Sequence, residues 1–170
     1  MHAPGDVFGE MNLQEEDVGI LHPVLAVASS SADLRGRLFS VTGNTQIPAF
    51  LNLIHALSAQ VLPVKPQDRP LFHALCALLS NGAQVLEIET AAVLRNFLLP
   101  EPLVEQWVRQ LVESGLAAFL AHKDAGLTGP WVRRDTDTIQ RHLDAIAQGA
   151  PELMPIYRTL QKQVERHWIH

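Results

Sequence analysis

The sequence predicts a mainly helical domain, a helical bundle preceded by a small cap built as strand, helix and strand. Apolar residues recur at helical spacing through most of the chain after residue 67, whereas short apolar stretches alternate with turn residues before it. The 170 residues are 47% hydrophobic and 18% charged, which is typical of a globular domain with a proper core. We expect an arm at 1–19, an α/β cap at 20–66 and a helical domain at 67–170.

The cap is predicted from three short apolar stretches and one helical pattern. Ile20–Ala28 and Arg37–Thr42 favour strands, and the second ends at the turn residue Gly43. Apolar residues at helical spacing predict a helix over Pro48–Ala59, and Val61–Lys65 predicts another strand. A strand, helix, strand order favours a parallel crossover.

The helical domain is predicted from capping residues and breakers. Asp68 can cap a helix whose first turn accepts Pro70, and Asp135 is a favourable N-cap for a later helix. A central helix of more than 20 residues is expected after Asp68 because its apolar character extends to about Leu94. Further helices are predicted over Leu103–Leu120, 136–147 and Pro151–His167.

Composition excludes several classes of function. Residues 1–19 contain five acids and no Lys or Arg, which equals the net charge of −5, so the rest of the chain is neutral. A nucleic-acid partner is not expected, because such a protein needs a basic face. No signal-peptide pattern or membrane-length apolar run is evident, and the single cysteine, Cys76, is predicted to be a core residue. We expect a cytoplasmic protein with no membrane partner.

Two groups of polar residues are candidates for a ligand site. His73 and Asn81 lie eight positions apart, about 2.2 helical turns, so both project to roughly the same side. They could bind one polar ligand, with His73 as acid or base, or they could satisfy backbone groups at a helix contact. Thr128 and Arg133 precede the helix capped by Asp135, an arrangement that suits a small anion or serves only as a turn and cap.

Cofactor and metal motifs are absent from the sequence. It contains no G-x-G-x-x-G and no G-x-x-x-x-G-K-[ST], so we expect no cofactor-binding site within the chain. Eight histidines include the pair His167 and His170, which has a possible metal-ligand spacing. Because no acidic or cysteine partner completes that set, no metal site is predicted.

Several short motifs resemble one family in order and spacing. They are Leu21-His22-Pro23, Leu71-Phe72-His73-Ala74 with Ser80-Asn81, Leu127-Thr128-Gly129-Pro130 with Arg133 and Asp135, His142-Leu143, and Tyr157-Arg158-x-Leu160. This pattern resembles the C-terminal helical domain (DUF2520 type) of Rossmann-like NAD(P)-dependent oxidoreductases related to pyrroline-5-carboxylate reductase. The family has a tyrosine at Phe72, a glycine at Arg134 and an asparagine near Ala117. The nucleotide-binding half of the family has no counterpart, and residues 20–66 resemble the end of its sheet.

The resemblance implies a fold like the C-terminal domain of 6-phosphogluconate dehydrogenase and pyrroline-5-carboxylate reductase, and a homodimer. It also implies a substrate pocket with His73 as possible acid or base and with His22, Asn81, Thr128, Arg133, Asp135 and His142 as binding residues. The leading hypothesis is a binding or assembly subunit of a split oxidoreductase or biosynthetic complex, with NAD(P) held only by a nucleotide-binding partner. The alternatives are cofactor-independent acid–base or lyase chemistry and a metal- or haem-related role. Whether the chain is an enzyme stays open.

Overall fold

The computed structural model describes residues 18–27, 31–44, 46–97 and 99–168, with the side chains described as far as 166. These residues fall into two compact units that divide between Gln84 and Val85. The acidic arm is predicted at 1–19, and only its last two positions are described. The side chains of His167 and His170 lie outside the described residues. The predicted domain boundary after residue 66 stays a prediction.

The N-terminal unit contains a three-stranded sheet in the order β1-β2-β3. Strand β1 is Gly19–Pro23, β2 is Leu38–Gly43 and β3 is Gln60–Pro63. Strand β2 runs antiparallel to β1 and parallel to β3, and helix α1, Pro48–Ala56, makes the parallel crossover. Phe39, Ser40, Val41 and Thr42 of β2 are buried, as expected for the central strand. The predicted strand, helix, strand cap is therefore confirmed.

The first strand is shorter than the sequence predicts. The expectation was Ile20–Ala28, but β1 ends at Pro23, and Ala28 lies outside the described residues. The Val24 N–H still donates to the Leu38 carbonyl at 2.8 Å, but β2 begins at Leu38, so the apolar residues that follow Val24 have no partner in this strand. Gly43 has the predicted turn geometry with φ +82°, and a Cβ at this position would meet the backbone carbonyl of Val18.

The helical part begins within the N-terminal unit and continues through the C-terminal one. Helix α2 is Arg69–Ala77, and a π-helical segment, Leu78–Gly82, joins it to α3, Ala83–Arg95. The other helices are α4 (Glu101–His122), α5 (Pro130–Arg133), α6 (Thr136–Gly149) and α7 (Met154–Trp168). The mainly α fold class is confirmed. The prediction of one regular α-helix from Asp68 to about Leu94 is corrected by the π-helical segment.

Many apolar side chains of α2, the π-helical segment, α3 and α4 remain exposed. Leu78 and Leu79 are 71% and 80% exposed, although a helix interior to the fold would bury them. By length and composition alone, the helical segment Pro66–Arg95 could cross a membrane, with a hydropathy of 1.3 in its most apolar window. Core helices of soluble proteins have the same length and composition, so these two properties do not by themselves indicate a membrane span.

Candidate functional site

Two predicted site residues, His22 and His73, meet in the N-terminal unit. His22 is on β1, opposite Ser40 of β2, and His73 is in the middle of α2. Their ring centres lie 5.4 Å apart, and the ring planes make an angle of 84°. The edge of one imidazole therefore faces the other ring, which is a favourable arrangement for two aromatic groups.

The pKa of His22 lies below the ordinary histidine value. Burial is the largest cause because it disfavours the charged imidazolium, and the positive potential of His73 and Arg69 adds to the effect. His22 is consequently neutral at neutral pH. A neutral imidazole has one nitrogen that donates a hydrogen bond and one that accepts.

The π-helical segment brings Ser80 and Asn81 to the same cavity as the two histidines. The cavity has a volume of about 630 Å³, within the range of small-molecule sites. Its polar lining consists of His22, His73, Ser80 and Asn81. Aliphatic side chains from residues 24–27 and from α2 form most of the remainder, together with Phe72 and Cys76. Three predicted site residues, His22, His73 and Asn81, are thus brought together.

His73 and Asn81 reach the same cavity, but the helix between them is not regular as the sequence predicted. Their predicted position on one side required a regular helix with 3.6 residues per turn, whereas the backbone between them passes into the π-helical segment. Such segments occur often at functional sites, because they alter the direction of the side chains that follow. The triplet Ser80-Asn81-Gly82 consists of weak helix formers, and this was the available sequence signal.

Cys76 also differs from its prediction as a core residue. It is half-buried and lies in the lining of the His22 and His73 cavity. It is one helical turn after His73 on α2, so both project toward the same cavity. The apolar stretch around Cys76 therefore predicted its partial burial but not its position at a cavity.

The other predicted site residues lie in the C-terminal unit, around the turn before α6. Gly129 has φ +102° and allows the chain to enter the short helix α5. Asp135 is the N-cap of α6, and its carboxylate accepts a hydrogen bond from the Thr138 backbone N–H at 3.0 Å. The predicted cap is therefore confirmed.

The charge of Asp135 is stabilised at this helix end. Its pKa is held below the ordinary aspartate value, mainly by the Thr138 backbone N–H and then by hydrogen bonding to the Thr138 side chain. Arg141 and Arg133 lower the pKa further through their positive charges. Arg133 itself is exposed at the end of α5. This geometry fits the turn-and-cap alternative, and anion binding by Arg133 stays a prediction.

Arg134 has a left-handed backbone conformation, with φ 55° and ψ 36°. Glycine adopts this conformation without the steric cost that a Cβ imposes. The sequence resemblance placed the glycine of the family at this position, and the backbone retains the shape that a glycine favours. Arg134 is the C-cap of α5, directly before Asp135.

His142 of α6 contacts Tyr157 of α7, and Tyr157 in turn contacts α5. Its Nδ1 lies 2.9 Å from the Tyr157 hydroxyl of α7, at hydrogen-bond distance. The Tyr157 ring also contacts Trp131 of α5 edge-on, with ring centres 4.9 Å apart. The Trp131 Nε1 atom is buried, without a hydrogen-bond partner among the described residues. This cluster of Trp131, His142 and Tyr157 connects α5, α6 and α7.

Thr128 lines a separate cavity of about 650 Å³ within the C-terminal unit. The cavity lies beside the end of α4, where Gly126 approaches the Ala118 backbone so closely that a Cβ would lie 2.5 Å from its carbonyl oxygen. Lys123 contributes to the same lining and is placed over the Phe119 ring, 5.2 Å from its centre. Within the described residues, no group of three or more His, Cys, Asp or Glu could hold a metal ion.

A family model named DUF2520, a domain of unknown function, matches residues 37–164. The chain belongs to the DUF2520 family. The motifs from His73 to Tyr157 all fall within the matched range, as the sequence resemblance implied. A comparison with curated proteins finds no match.

Solved structures share the fold of this DUF2520 chain. One is the protein TM1727 from Thermotoga maritima, with a TM-score of 0.70 and 14% identity over 87% of this chain and 60% of that one. Another is BF3122 from Bacteroides fragilis, named for a proposed NADP oxidoreductase activity. It has a TM-score of 0.69 and 20% identity over 88% of this chain and 57% of that one. The chain therefore spans about three fifths of the length of each structure.

The family match confirms the predicted membership of the DUF2520 family, and the solved structures share its fold.

The turn between β2 and α1 is the place in the described residues where a dinucleotide phosphate would be expected, because it joins a strand to the start of a helix. Gly43 is its only glycine, and the Cβ position of Gly43 is occupied by the Val18 carbonyl. Pro48 at the start of α1 has no N–H to offer. The described part of this turn does not fit a dinucleotide, which needs closely approaching backbone N–H groups.

Proposed function

We propose that this chain is the substrate-binding and dimer-forming domain of a reductase-like protein. It would act as a binding or assembly subunit, with NAD(P) held by a nucleotide-binding partner. The observation that carries the proposal is the His22, His73 and Asn81 cavity. It combines an apolar lining with a few converging polar groups, which is the usual composition of a small-molecule site.

The relationship to oxidoreductases of known fold supports this assignment. This chain has the motif residues His22, His73 and Asn81 at the cavity, but it has no G-x-G-x-x-G sequence for a dinucleotide. A nucleotide-binding partner would supply the redox cofactor, and this chain would bind and orient the substrate. His73 is the candidate acid or base because its ring contacts His22 at the cavity wall.

The exposed apolar face of α4 supports dimer formation. Leu103, Trp107 and Leu111 recur at every fourth position and are 51%, 40% and 54% exposed. Residues at this spacing lie on one side of a helix. A large exposed apolar patch is more typical of a protein interface than of a free surface.

A second copy of this chain is the proposed occupant of that face. In a two-fold contact the same surface of the two copies meets, so Leu103, Trp107 and Leu111 of one copy would pack against those of the other. The cytoplasmic location expected from the composition is compatible with such a dimer.

Small-molecule binding can be tested by a ligand-observed NMR screen of polar fragments. We expect fragments that bind the wild-type protein and are lost from the His73→Ala variant. His55→Ala is the matched control, since His55 lies on α1 and outside the cavity lining. NADPH alone is expected not to bind. Equal fragment binding by wild type and His73→Ala would contradict the proposal, and so would saturable NADPH binding by this chain alone.

Dimer formation can be tested by sedimentation. We expect a dimer that Leu111→Glu converts to monomer, because a buried unpaired carboxylate costs several kcal/mol. Gln140→Glu introduces the same charge at an exposed position of α6, outside the proposed face of α4, and should leave the dimer intact. A monomeric wild-type protein would contradict this part of the proposal.

A further inference from the structure

The polar groups around the cavity of the N-terminal unit share one property. Among the described residues that line it, none is Asp, Glu, Lys or Arg, and the polar members are His22, His73, Ser80 and Asn81. All four carry N–H or O–H groups that can donate a hydrogen bond. A ligand with several acceptor atoms can therefore accept hydrogen bonds from more than one of them.

Ser80 increases this donor character. Its hydroxyl donates to the Asn81 Oδ1 atom at 3.0 Å, so the acceptor end of the amide already has a partner. The amide nitrogen of Asn81, with its two N–H groups, is then the end available to a ligand. Ser80 therefore acts as a positioning residue that determines which end of Asn81 a ligand meets.

The electrostatic surroundings of His22 favour a negative ligand. From α2, His73 and Arg69 contribute positive potential, and burial further disfavours a charge on His22. From β2, the register partner is Ser40, which carries no charge. Among the described residues, no carboxylate lines the cavity to balance a protonated His22. A carboxylate brought by a ligand would supply that balance.

We infer that this cavity binds the carboxylate end of a small molecule whose other end is apolar, and that His22 takes up one proton when the carboxylate binds. The inference rests on the proposed function, since it specifies the ligand class of the same site. The apolar lining from residues 24–27 and Leu75 accommodates the rest of the molecule. The acceptor atoms of the carboxylate meet the donors of His22, His73 and Asn81.

Calorimetry with three probes tests the inference on the full chain. Hexanoate presents a carboxylate on an apolar tail, hexanamide is its neutral counterpart, and hexyl phosphate presents a different anion. We expect hexanoate to bind more tightly than either. Its affinity should increase about tenfold between pH 8 and pH 5.5, because an adjacent anion raises a histidine pKa by roughly one unit.

Two matched variants assign the proton. His22→Gln keeps a hydrogen-bonding side chain that cannot titrate, so most of the pH dependence should disappear. His55→Gln makes the same change on α1 outside the cavity and should retain it. Ser80→Ala should weaken hexanoate binding more than hexanamide binding, because a freed Asn81 amide can turn its acceptor end toward the ligand. Ser80→Thr should restore the wild-type preference.

The possible failures are distinguishable. If hexanamide binds as tightly as hexanoate, the carboxylate inference is wrong while the cavity remains a small-molecule site. Tighter binding of hexyl phosphate overturns the inference in favour of a phosphate. If no probe binds, the carboxylate inference is wrong. If the NMR screen also finds no fragment whose binding is lost in His73→Ala, the proposed function is wrong as well.

Discussion

The two compact units use the predicted motif residues differently. In the N-terminal unit, His22 and His73 contact each other at the wall of a cavity that also includes Asn81. In the C-terminal unit, His142 is at hydrogen-bond distance from Tyr157, and Asp135 caps α6. The same family pattern therefore contains residues that face a cavity and residues that connect helices. Membership of a motif does not by itself identify a ligand contact.

The largest expected effect is on the stability of the C-terminal unit. Tyr157→Ala removes both the hydroxyl beside His142 and the ring beside Trp131, so we expect a loss of about 2–3 kcal/mol in the free energy of unfolding. Tyr157→Phe keeps the ring and should cost about 1 kcal/mol. Denaturant unfolding measures both values. Unchanged stability in Tyr157→Ala would show that the Trp131, His142 and Tyr157 cluster does not hold these helices together.

A second comparison separates binding from stability. His73→Ala should weaken hexanoate binding about tenfold, which corresponds to one lost hydrogen bond to a charged group of about 1.4 kcal/mol. His73→Ala should change the free energy of unfolding by less than about 0.5 kcal/mol, because His73 is exposed. His142→Ala should do the reverse, with normal binding and a measurable loss of stability. If both variants behaved alike, the contrast between the units would not hold.

The adjacent arginines Arg133 and Arg134 are expected to respond to glycine with opposite signs. Arg134→Gly should stabilise the protein by about 1 kcal/mol, since the left-handed conformation at this position carries a steric cost for residues with a Cβ. Arg133→Gly should destabilise it by up to about 1 kcal/mol, because Arg133 lies within helix α5. Thermal unfolding of the two variants tests this. A destabilised Arg134→Gly protein would indicate that the Arg134 side chain makes a compensating contact.

The smallest expected effect concerns pH. The pKa of His22 is lowered in the folded state, so below about pH 6.5 the unfolded chain binds more protons than the folded one at this residue. His22 therefore decreases stability as the pH falls below that value, and it contributes no such loss above it. The free energy of unfolding, measured with urea, should fall less steeply from pH 8 to pH 5 for His22→Gln than for wild type. Parallel curves for the two proteins would contradict the lowered pKa.

The fold was largely predictable because its determinants are local. Alternating apolar residues and the Gly43 turn predicted β2, and helical spacing after Pro48 predicted α1. Asp135 predicted the start of α6 because N-caps are selected by the first turn alone. The end of β1 was missed, since its apolar pattern continues beyond the point where β2 begins and can pair with it.

The site was less predictable because it depends on contacts between distant parts of the chain. Sequence spacing placed His73 and Asn81 on one side of a regular helix, but it could not reveal the π-helical segment before Asn81. The contact of His22 with His73 joins a strand to a helix, and no local pattern specifies it. The hydrogen-bond distance between His142 and Tyr157 likewise requires α6 and α7 to be packed together.

The central claim is that ligand binding occurs in the cavity of the N-terminal unit, whereas His142 serves the packing of the C-terminal unit. The most direct measurement is a histidine-selective NMR titration of the full chain with hexanoate or with a fragment from the screen. The account predicts that the ring signals of His22 and His73 shift in a saturable manner while those of His142 and His55 stay in place. A saturable shift of His142, with His22 and His73 unchanged, would contradict it.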